Sequence, residues 1–187
     1  MKKTYFPVRT LLWLLLPFTL GASFTAQAAA DMFLQLDGIR GESVDQWYRG
    51  DIDVQAFSEG MSNSHLVTQE GADSGRTQVS AIKVTKYLDR SSPELRRHLA
   101  ANRTISSARL IVRYAGERPW EVFVIELRDV RVTAISLTAE GGEDRLQETI
   151  DLTFRAIQWT YTPMERGAEG TPVSAGYDVA NQATTGR

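Results

Sequence analysis

After residue 30, apolar and polar residues alternate over much of the chain, which is the pattern of half-buried β-strands. The first alternating stretch ends at Leu34 and Leu36, directly before the turn signal Asp37-Gly38. Further alternating stretches follow at residues 52–56, 79–88 and 109–114. In the second stretch, Ile52, Val54 and Ala56 are expected to share one face. The spacing therefore predicts a mostly β domain.

Two later stretches are too long for one ordinary strand. Within residues 120–137 the apolar set shifts from odd positions such as Ile125 to even positions such as Val132. A slip of one residue is what a bulge or bend near Arg128-Asp129 would cause. Residues 147–161 show a similar change. Since these strands are apolar on both faces, one face meets the core, and the other must meet a helix, a loop or another subunit.

One segment has the caps and spacing of a helix. Ser91-Ser92-Pro93-Glu94 places a capping hydroxyl before a proline at the first helical position, with an acid in the first turn. Leu95 and Leu99 follow on one face at helical spacing. The pattern predicts a short helix that packs on the sheet.

Two segments are poor in apolar residues. Residues 60–76 are polar with scattered glycine and serine, which favours a long loop or an extended hairpin. Residues 165–187 predict a partly ordered arm that carries Val173, Tyr177 and Val179. We expect the domain to span residues 31–181, with 182–187 as a mobile C-terminal tail.

Residues 1–30 have the layout of a secretory signal peptide: basic residues, then the apolar run 11–20, then small residues. The apolar run is shorter than the ~20 residues of a transmembrane helix. We expect cleavage after Ala28, with Ala30 as second choice, and no stable membrane insertion of the mature protein. An N-terminal anchor, or a start of translation at Met32, are the alternatives.

Charge and cysteine content narrow the function classes. Residues 1–30 contain three basic and no acidic side chains, which leaves 18 basic and 23 acidic ones and a net charge of −5 in the mature domain. Because nucleic-acid binders usually carry a basic patch or a high pI, we expect no nucleic-acid partner. The absence of cysteine from the sequence removes disulfides, thiolate metal sites and cysteine nucleophiles.

The sequence offers little catalytic chemistry. His65 and His98 are the two histidines, and neither lies near a serine in a nucleophile-elbow motif. Motifs for phosphate or zinc binding do not occur in the sequence. Glu143 and Asp144 form an acid pair beside Arg145 in a glycine-containing turn, which favours a charged turn that pairs with a neighbour. We therefore expect no catalytic, cofactor-binding or metal-binding residue, and we expect Glu143, Asp144 and Arg145 to lie at a subunit interface.

Several segments together resemble one protein family, the haemolysin-coregulated proteins (Hcp) of the type VI secretion system. They keep the family's order over residues 31–181, and they comprise Asp31-Met32-Phe33-Leu34, Gly41-Glu42-Ser43, Gly50-Asp51-Ile52-Asp53-Val54, residues Thr85 to Leu95, residues Gly141 to Glu148, Trp159-Thr160-Tyr161 and Gly176-Tyr177-Asp178. The stretch from Thr85 is similar to the family's "TKxxDxSSPxL" pattern.

This resemblance implies a small β-barrel with one flanking α-helix. It also implies a structural subunit, not an enzyme, that forms hexameric rings, and rings that stack into a hollow tube expelled toward a target cell. Sheath, spike and small effector proteins are implied as partners.

The chain departs from the family pattern in two places. Tube proteins of this family are ordinarily made in the cytoplasm without a cleavable signal, whereas the signal peptide here predicts a periplasmic or secreted protein. Residues 62–76 are polar where many members carry a glycine-rich loop that contacts the next ring. An exported Hcp-like barrel that acts as a binding or interaction module outside a tube is therefore the alternative function.

Overall fold

The computed structural model describes residues 30–64, 76–114, 120–139, 141–142, 144–165 and 167–185. Residues 1–29 of the predicted signal peptide and His65 lie outside these residues. The elements are, in chain order, β1 (Ala30–Leu36), β2 (Ile52–Ser58), β3 (Met61–Ser64), β4 (Arg76–Val79), β5 (Ile82–Tyr87), α1 (Ser91–Ala100), β6 (Ile105–Tyr114), β7 (Trp120–Thr138), β8 (Gln147–Thr153), β9 (Ala156–Tyr161), β10 (Met164–Glu165), β11 (Ala168–Glu169), β12 (Val173–Asp178) and β13 (Ala183–Thr185). Within the described part of the chain, no helix is long and apolar enough to span a membrane.

Six strands close into a barrel. Strands β7, β6, β1, β2, β5 and β8 are hydrogen-bonded in that order, and β8 pairs again with β7. Strands β9, β12 and β13 extend the sheet outward from the first half of β7, and α1 packs against β7. The predicted fold, a small β-barrel with one flanking helix, is confirmed.

Strand β7 bends between the part that closes the barrel with β8 and the part that carries the extension through β9. The strand runs unbroken from Trp120 to Thr138, and Asp129 in its middle has a φ of +52°. Phe123, Ile125 and Leu127 before the bend, and Val130 and Val132 after it, all pack in the same core. The predicted slip near Arg128-Asp129 is therefore confirmed.

The second long stretch is not one bent strand. It divides at Phe154-Arg155 into β8, which pairs with the second half of β7, and β9, which pairs with the first half. At the division the Arg155 amide donates to the Arg128 carbonyl at 3.0 Å. The change of face seen in the sequence thus marks the point where the barrel strand ends and the extension begins.

Most of the apolar side chains meet inside the barrel. Strands from all sides of the barrel, together with Leu95 of α1, supply this core, and its fully buried members include Leu34, Ile52, Ile82, Leu110, Ile125, Ile150 and Leu152. Burial of each such side chain contributes about 1.5–3 kcal/mol to folding. The interior is filled by side chains, as is usual for small barrels.

The outer face of β1, β6 and β7 is covered as well. Phe33, Ile111 and Val124 form a second buried cluster with Tyr48, which lies in the loop between β1 and β2. The sequence pattern left a helix, a loop or another subunit to cover the second apolar face of these strands. In the structure, a loop of the same chain covers it. We call residues 41–51 the 41–51 loop.

One face assignment in β2 was wrong. Ile52 and Val54 are buried as expected, but Ala56 is exposed and Phe57 packs against the core in its place. The pairing of β2 with β5 shifts register between Val54 and Ala56, so a bulge turns the strand over at this point. Alternation alone does not reveal a bulge next to a small residue.

The two segments that are poor in apolar residues, 60–76 and 165–187, contain strands. Strands β3 and β4 pair as a hairpin from Met61↔Val79 to Ser64↔Arg76, which confirms an extended hairpin for the described part of residues 60–76. In the arm, β12 pairs along β9, and Tyr177 is buried while Val173 is exposed. Strand β13 pairs with β12, so the sheet continues into the segment that was expected to be a mobile tail.

Candidate functional site

The charged turn between β7 and β8 carries the three residues expected at an interface. Asp144 and Arg145 are exposed, and Glu143 lies outside the described residues. The Arg145 guanidinium lies over the Tyr87 ring, 4.1 Å from its centroid. Arg145 therefore has a contact within its own chain, and its role between subunits stays a prediction.

The same turn leads into a buried charge that sequence reasoning missed. Glu148 and Lys86 are fully buried on the neighbouring strands β8 and β5, and Lys86 Nζ donates to Glu148 Oε1 at 2.9 Å. Lys86 also donates to Asp89 Oδ1 and to the Tyr87 carbonyl, both at 2.8 Å. The segments from Thr85 and from Gly141, which carried the family resemblance, thus meet at this ion pair.

The ion pair is tied directly to the start of α1. The Asp89 carboxylate accepts a hydrogen bond from the Ser91 amide at 2.9 Å, and Ser92 Oγ accepts one from the Asp89 amide at 3.1 Å. This reciprocal arrangement is that of a capping box. The expected cap was a serine hydroxyl with Pro93 at the first helical position; instead Asp89 caps the turn, and Arg90 before the helix already has helical backbone angles.

Electrostatics keep Glu148 ionised. Burial alone would raise the pKa of Glu148, but the hydrogen bonds from Ser92 and Lys86, the charge of Lys86 and the contact with Arg96 together hold this pKa below its ordinary value. Arg96 Nη1 lies 2.8 Å from Glu148 Oε2, which is a charge contact without hydrogen-bond geometry. We call Lys86, Asp89, Ser92, Arg96 and Glu148 the helix clamp.

The clamp contains a serine and a lysine that could suggest nucleophilic chemistry. Lys86 Nζ lies 3.1 Å from Ser92 Oγ, which is a spacing at which a lysine can act as base for a serine. However, Ser92 donates its own proton to Glu148, and both side chains are buried. The buried pair therefore holds the start of the helix in place.

A second charged cluster fixes the 41–51 loop to the barrel. Arg113 donates to Asp45 through both terminal nitrogens, at 3.1 and 2.7 Å, and to Asp31 at 2.7 Å. Its guanidinium lies 5.1 Å from the Phe33 ring centroid and 5.3 Å from that of Tyr48. Because a bidentate arginine can pair and stack at once, this one residue joins the loop to β1 and β6.

The titration of this cluster reflects those contacts. The hydrogen bond from Arg113 holds the pKa of Asp45 below its ordinary value, against the opposing effect of burial. Burial, followed by the hydrogen bond from the Tyr48 hydroxyl to Glu121, raises the pKa of Tyr48. Asp45 therefore stays ionised and Tyr48 stays neutral near neutral pH.

The clamp residues had a signal in the sequence. Lys86 follows Ile82 and Val84 at inward positions of β5, and Glu148 precedes Ile150 and Leu152 at inward positions of β8. A charge in register with a buried apolar set must be paired inside the protein. Two opposite charges of this kind on different strands are therefore candidates for one buried pair on the amino-acid pattern alone.

Two further acidic residues of β7 and the histidine of α1 make ordinary contacts. Glu126 lies 3.3 Å from Arg109, and Asp129 lies 3.7 Å from Arg155, both as partly exposed ion pairs. His98 lies in the last turn of α1. Among the residues that the structure describes, no group of three or more histidine, aspartate or glutamate side chains could hold a metal ion.

Comparison with known proteins agrees with this geometry. The family model for the type VI secretion system effector Hcp matches residues 33–161 of the chain. Protein hcp1 of Pseudomonas aeruginosa is 37% identical over 155 residues, which cover 81% of this chain and 96% of that protein.

Solved structures agree as well. A type six secretion system protein is similar at a TM-score of 0.77 and 25% identity, covering 84% of this chain and 100% of its own. Hcp1 from Salmonella typhimurium is similar at a TM-score of 0.71 and 28% identity, covering 84% of this chain and 99% of its own. Both motif segments that meet in the helix clamp lie inside the matched range. The chain therefore belongs to the Hcp family of type VI secretion proteins, a family of structural, secreted proteins.

Proposed function

We propose that the mature protein is a ring subunit that assembles into hexamers, and that these rings stack into a tube that carries effectors. Family membership supports the role in type VI secretion. Sheath, spike and small effector proteins are the proposed partners, and no catalytic step is assigned to any residue. The observation on this chain that supports the proposal is a row of apolar side chains on the sheet extension that the chain itself only partly buries.

The first side chain of this row packs on the core, and the next two are exposed to solvent. Phe123 of β7, Tyr161 of β9 and Val173 of β12 lie directly opposite one another in the sheet. Phe123 packs against the core, whereas Tyr161 is 50% exposed and Val173 is 67% exposed. An apolar row that leaves its own core is suited to burial against another copy, and a heterologous contact repeated around a closed rotation gives a ring.

The test compares two charge insertions on opposite faces of β9. Tyr161→Lys places a charge on the apolar row, and Gln158→Lys places it on the exposed opposite face. We expect the wild-type protein to have the mass of a hexamer by light scattering, Tyr161→Lys to fall to smaller species, and Gln158→Lys to remain hexameric. A wild-type monomer at micromolar concentration would contradict the ring, and an intact ring in Tyr161→Lys would contradict this interface.

The predicted signal peptide supports the second candidate, an exported barrel that acts as a binding module outside a tube. Residues 1–30 carry the three zones of such a signal in order. Mass spectrometry of the N-terminus in cell fractions decides between the two. A periplasmic form cut near Ala28, whose rings do not stack by electron microscopy, favours the binding module; a cytoplasmic form that starts at Met32 favours the tube.

A further inference from the structure

The most exposed aromatic side chain of the described structure lies on the 41–51 loop, which several hydrogen bonds hold to itself and to the barrel. The Trp47 side chain is 59% exposed. Its backbone amide donates to Asp45 Oδ1 at 2.8 Å, and the next residue, Tyr48, is buried and stacked on Phe33 with ring centroids 4.4 Å apart. The loop is closed on itself by backbone bonds from Gly41 to Gly50 at 2.9 Å and from Gly50 to Ser43 at 2.8 Å. The backbone that carries the indole is therefore held in place before any ligand arrives.

The indole forms one wall of a polar cleft. The cleft has a volume of about 660 Å³, within the usual range for small-molecule sites. Its lining includes Gln35, Trp47, Arg109, Glu121, Thr162 and Glu169.

The polar groups of the cleft are already oriented by one another. Glu121 accepts the Tyr48 hydroxyl at 2.8 Å and the Arg109 guanidinium at 3.1 Å. Arg109 donates to the Gln35 side-chain oxygen Oε1 at 3.5 Å, and the Gln35 side-chain nitrogen Nε2 donates to Asp51 at 2.8 Å. Donors and acceptors are thus fixed on β1, β6 and β7, next to a flat apolar surface.

The charge of the cleft selects among ligand classes. Of the described residues that line it, Glu121 and Glu169 are acidic and Arg109 is basic. An anionic ligand would meet an excess of carboxylate, whereas an uncharged polyol can accept from arginine, donate to carboxylates and lay its C–H face on an indole. We propose that this cleft binds an uncharged oligosaccharide, with Trp47 as the stacking platform and Arg109, Glu121 and Gln35 as the hydrogen-bonding groups.

Ligand-observed saturation-transfer NMR on the protein purified from the full coding chain tests this proposal, because the method works for a monomer and for a large ring. The probes are chitotriose and maltotriose, with tetralysine as a cationic peptide. We expect saturation on the sugar ring C–H protons and none on tetralysine. Trp47→Ala should weaken sugar binding about ten-fold or more, since stacking on an indole is lost, and Trp47→Phe should weaken it less.

Val44→Ala is the matched control. Val44 lies on the same loop and is 82% exposed, but it does not line the cleft. This variant should bind sugar as the wild type does. The proposal would be overturned if the wild type saturated neither sugar, or if Trp47→Ala saturated a sugar as strongly as the wild type does. It would also be overturned if tetralysine were saturated and the sugars were not. Light scattering on the same samples distinguishes a failure of the sugar proposal from a failure of the ring proposal. If the wild type binds no sugar and Trp47→Ala loses the hexamer, Trp47 is a contact between copies of the chain and not a sugar platform.

Discussion

Lys86 Nζ donates to Glu148 Oε1 at 2.9 Å, with both side chains buried between the barrel and α1. The pair joins β5 to β8 and, through Ser92 and Asp89, sets the first turn of the helix. Two of the sequence segments that resemble the Hcp family thus serve one structural purpose. They attach the flanking helix to the barrel wall.

The first prediction concerns the energy of this attachment. Lys86→Met leaves the Glu148 carboxylate buried without its main partner, so we expect a loss of about 3–5 kcal/mol in the free energy of unfolding, measured in urea. The double variant Lys86→Met/Glu148→Met should recover most of this loss, because two apolar side chains can replace a buried pair.

Lys83→Met is the control for that measurement. Lys83 lies on the same strand and pairs with Asp151 of β8 at 2.6 Å, but its side chain is 57% exposed. Its loss should cost at most about 1 kcal/mol. Equal losses in the Lys83 and Lys86 variants would show that the clamp is no more than a surface ion pair.

The second prediction is an acid dependence of stability. The pKa of Glu148 is lower in the folded protein than its ordinary value, so the unfolded chain takes up the proton first as pH falls. The stability that Glu148 contributes is therefore present above the unfolded-state pKa, and it is lost from about pH 5 downward. The free energy of unfolding of Glu148→Gln should change less over this range than that of the wild type. Parallel pH profiles would contradict the assignment.

The third prediction concerns the 41–51 loop. Arg113→Lys keeps the charge but cannot pair with both Asp45 oxygens and stack on the rings, so the loop should open more often. We expect amide hydrogen exchange of residues 44–50 to rise about ten-fold, with little change in the barrel strands. Arg97→Lys, on the exposed face of α1, should leave the exchange of the loop unchanged.

The fourth prediction uses two glycines. A Cβ at Gly41 would lie 2.3 Å from the Asp51 carbonyl oxygen, whereas a Cβ at Gly141 meets nothing within 4 Å. Gly41→Ala should therefore destabilise the protein by about 1–3 kcal/mol, because the backbone of the loop must move apart. Gly141→Ala should be nearly neutral in the same thermal unfolding experiment. A neutral Gly41→Ala would mean that the loop adapts freely.

The fifth prediction tests whether the charged turn lies at a subunit interface, as the sequence led us to propose. If Asp144 and Arg145 bridge copies of the chain, Arg145→Glu should weaken the ring more than it weakens the fold. Because Arg145 also stacks on Tyr87 within its own chain, Tyr87→Leu serves as the control that removes this contact and keeps the charge. Light scattering should show ring loss in Arg145→Glu alone. Equal loss of ring and fold, or ring loss in both variants, would contradict the interface.

The sequence predicted the elements well where the apolar residues kept one spacing along a whole segment. Alternation located β1, β5 and β6, and the shift of the apolar set near Asp129 located the bend of β7. It failed at Ala56, because a bulge moves every later side chain to the other face without changing the composition. The sequence analysis also treated β8 and β9 as one stretch. The chain changes its pairing partner between them, and such a change leaves no mark in the local alternation of apolar and polar residues.

The candidate site was less predictable than the fold. The expected interface residues could be named from a turn, but Glu148 and Lys86 were passed over although their positions in the apolar register marked them. Their pairing joins residues 62 positions apart, and only the register of β5 against β8 brings them together.

The sequence by itself determined the strand content, the flanking helix and the family, because these depend on local periodicity and on motifs that can be read in order. Only the tertiary structure decided that β8 closes the barrel against β7, that the 41–51 loop covers the outer face, and that Trp47 is left exposed beside a polar cleft. Those outcomes depend on which distant strands pair and in which register, and the free energy of such pairings is shared over the whole core instead of being held in any one segment.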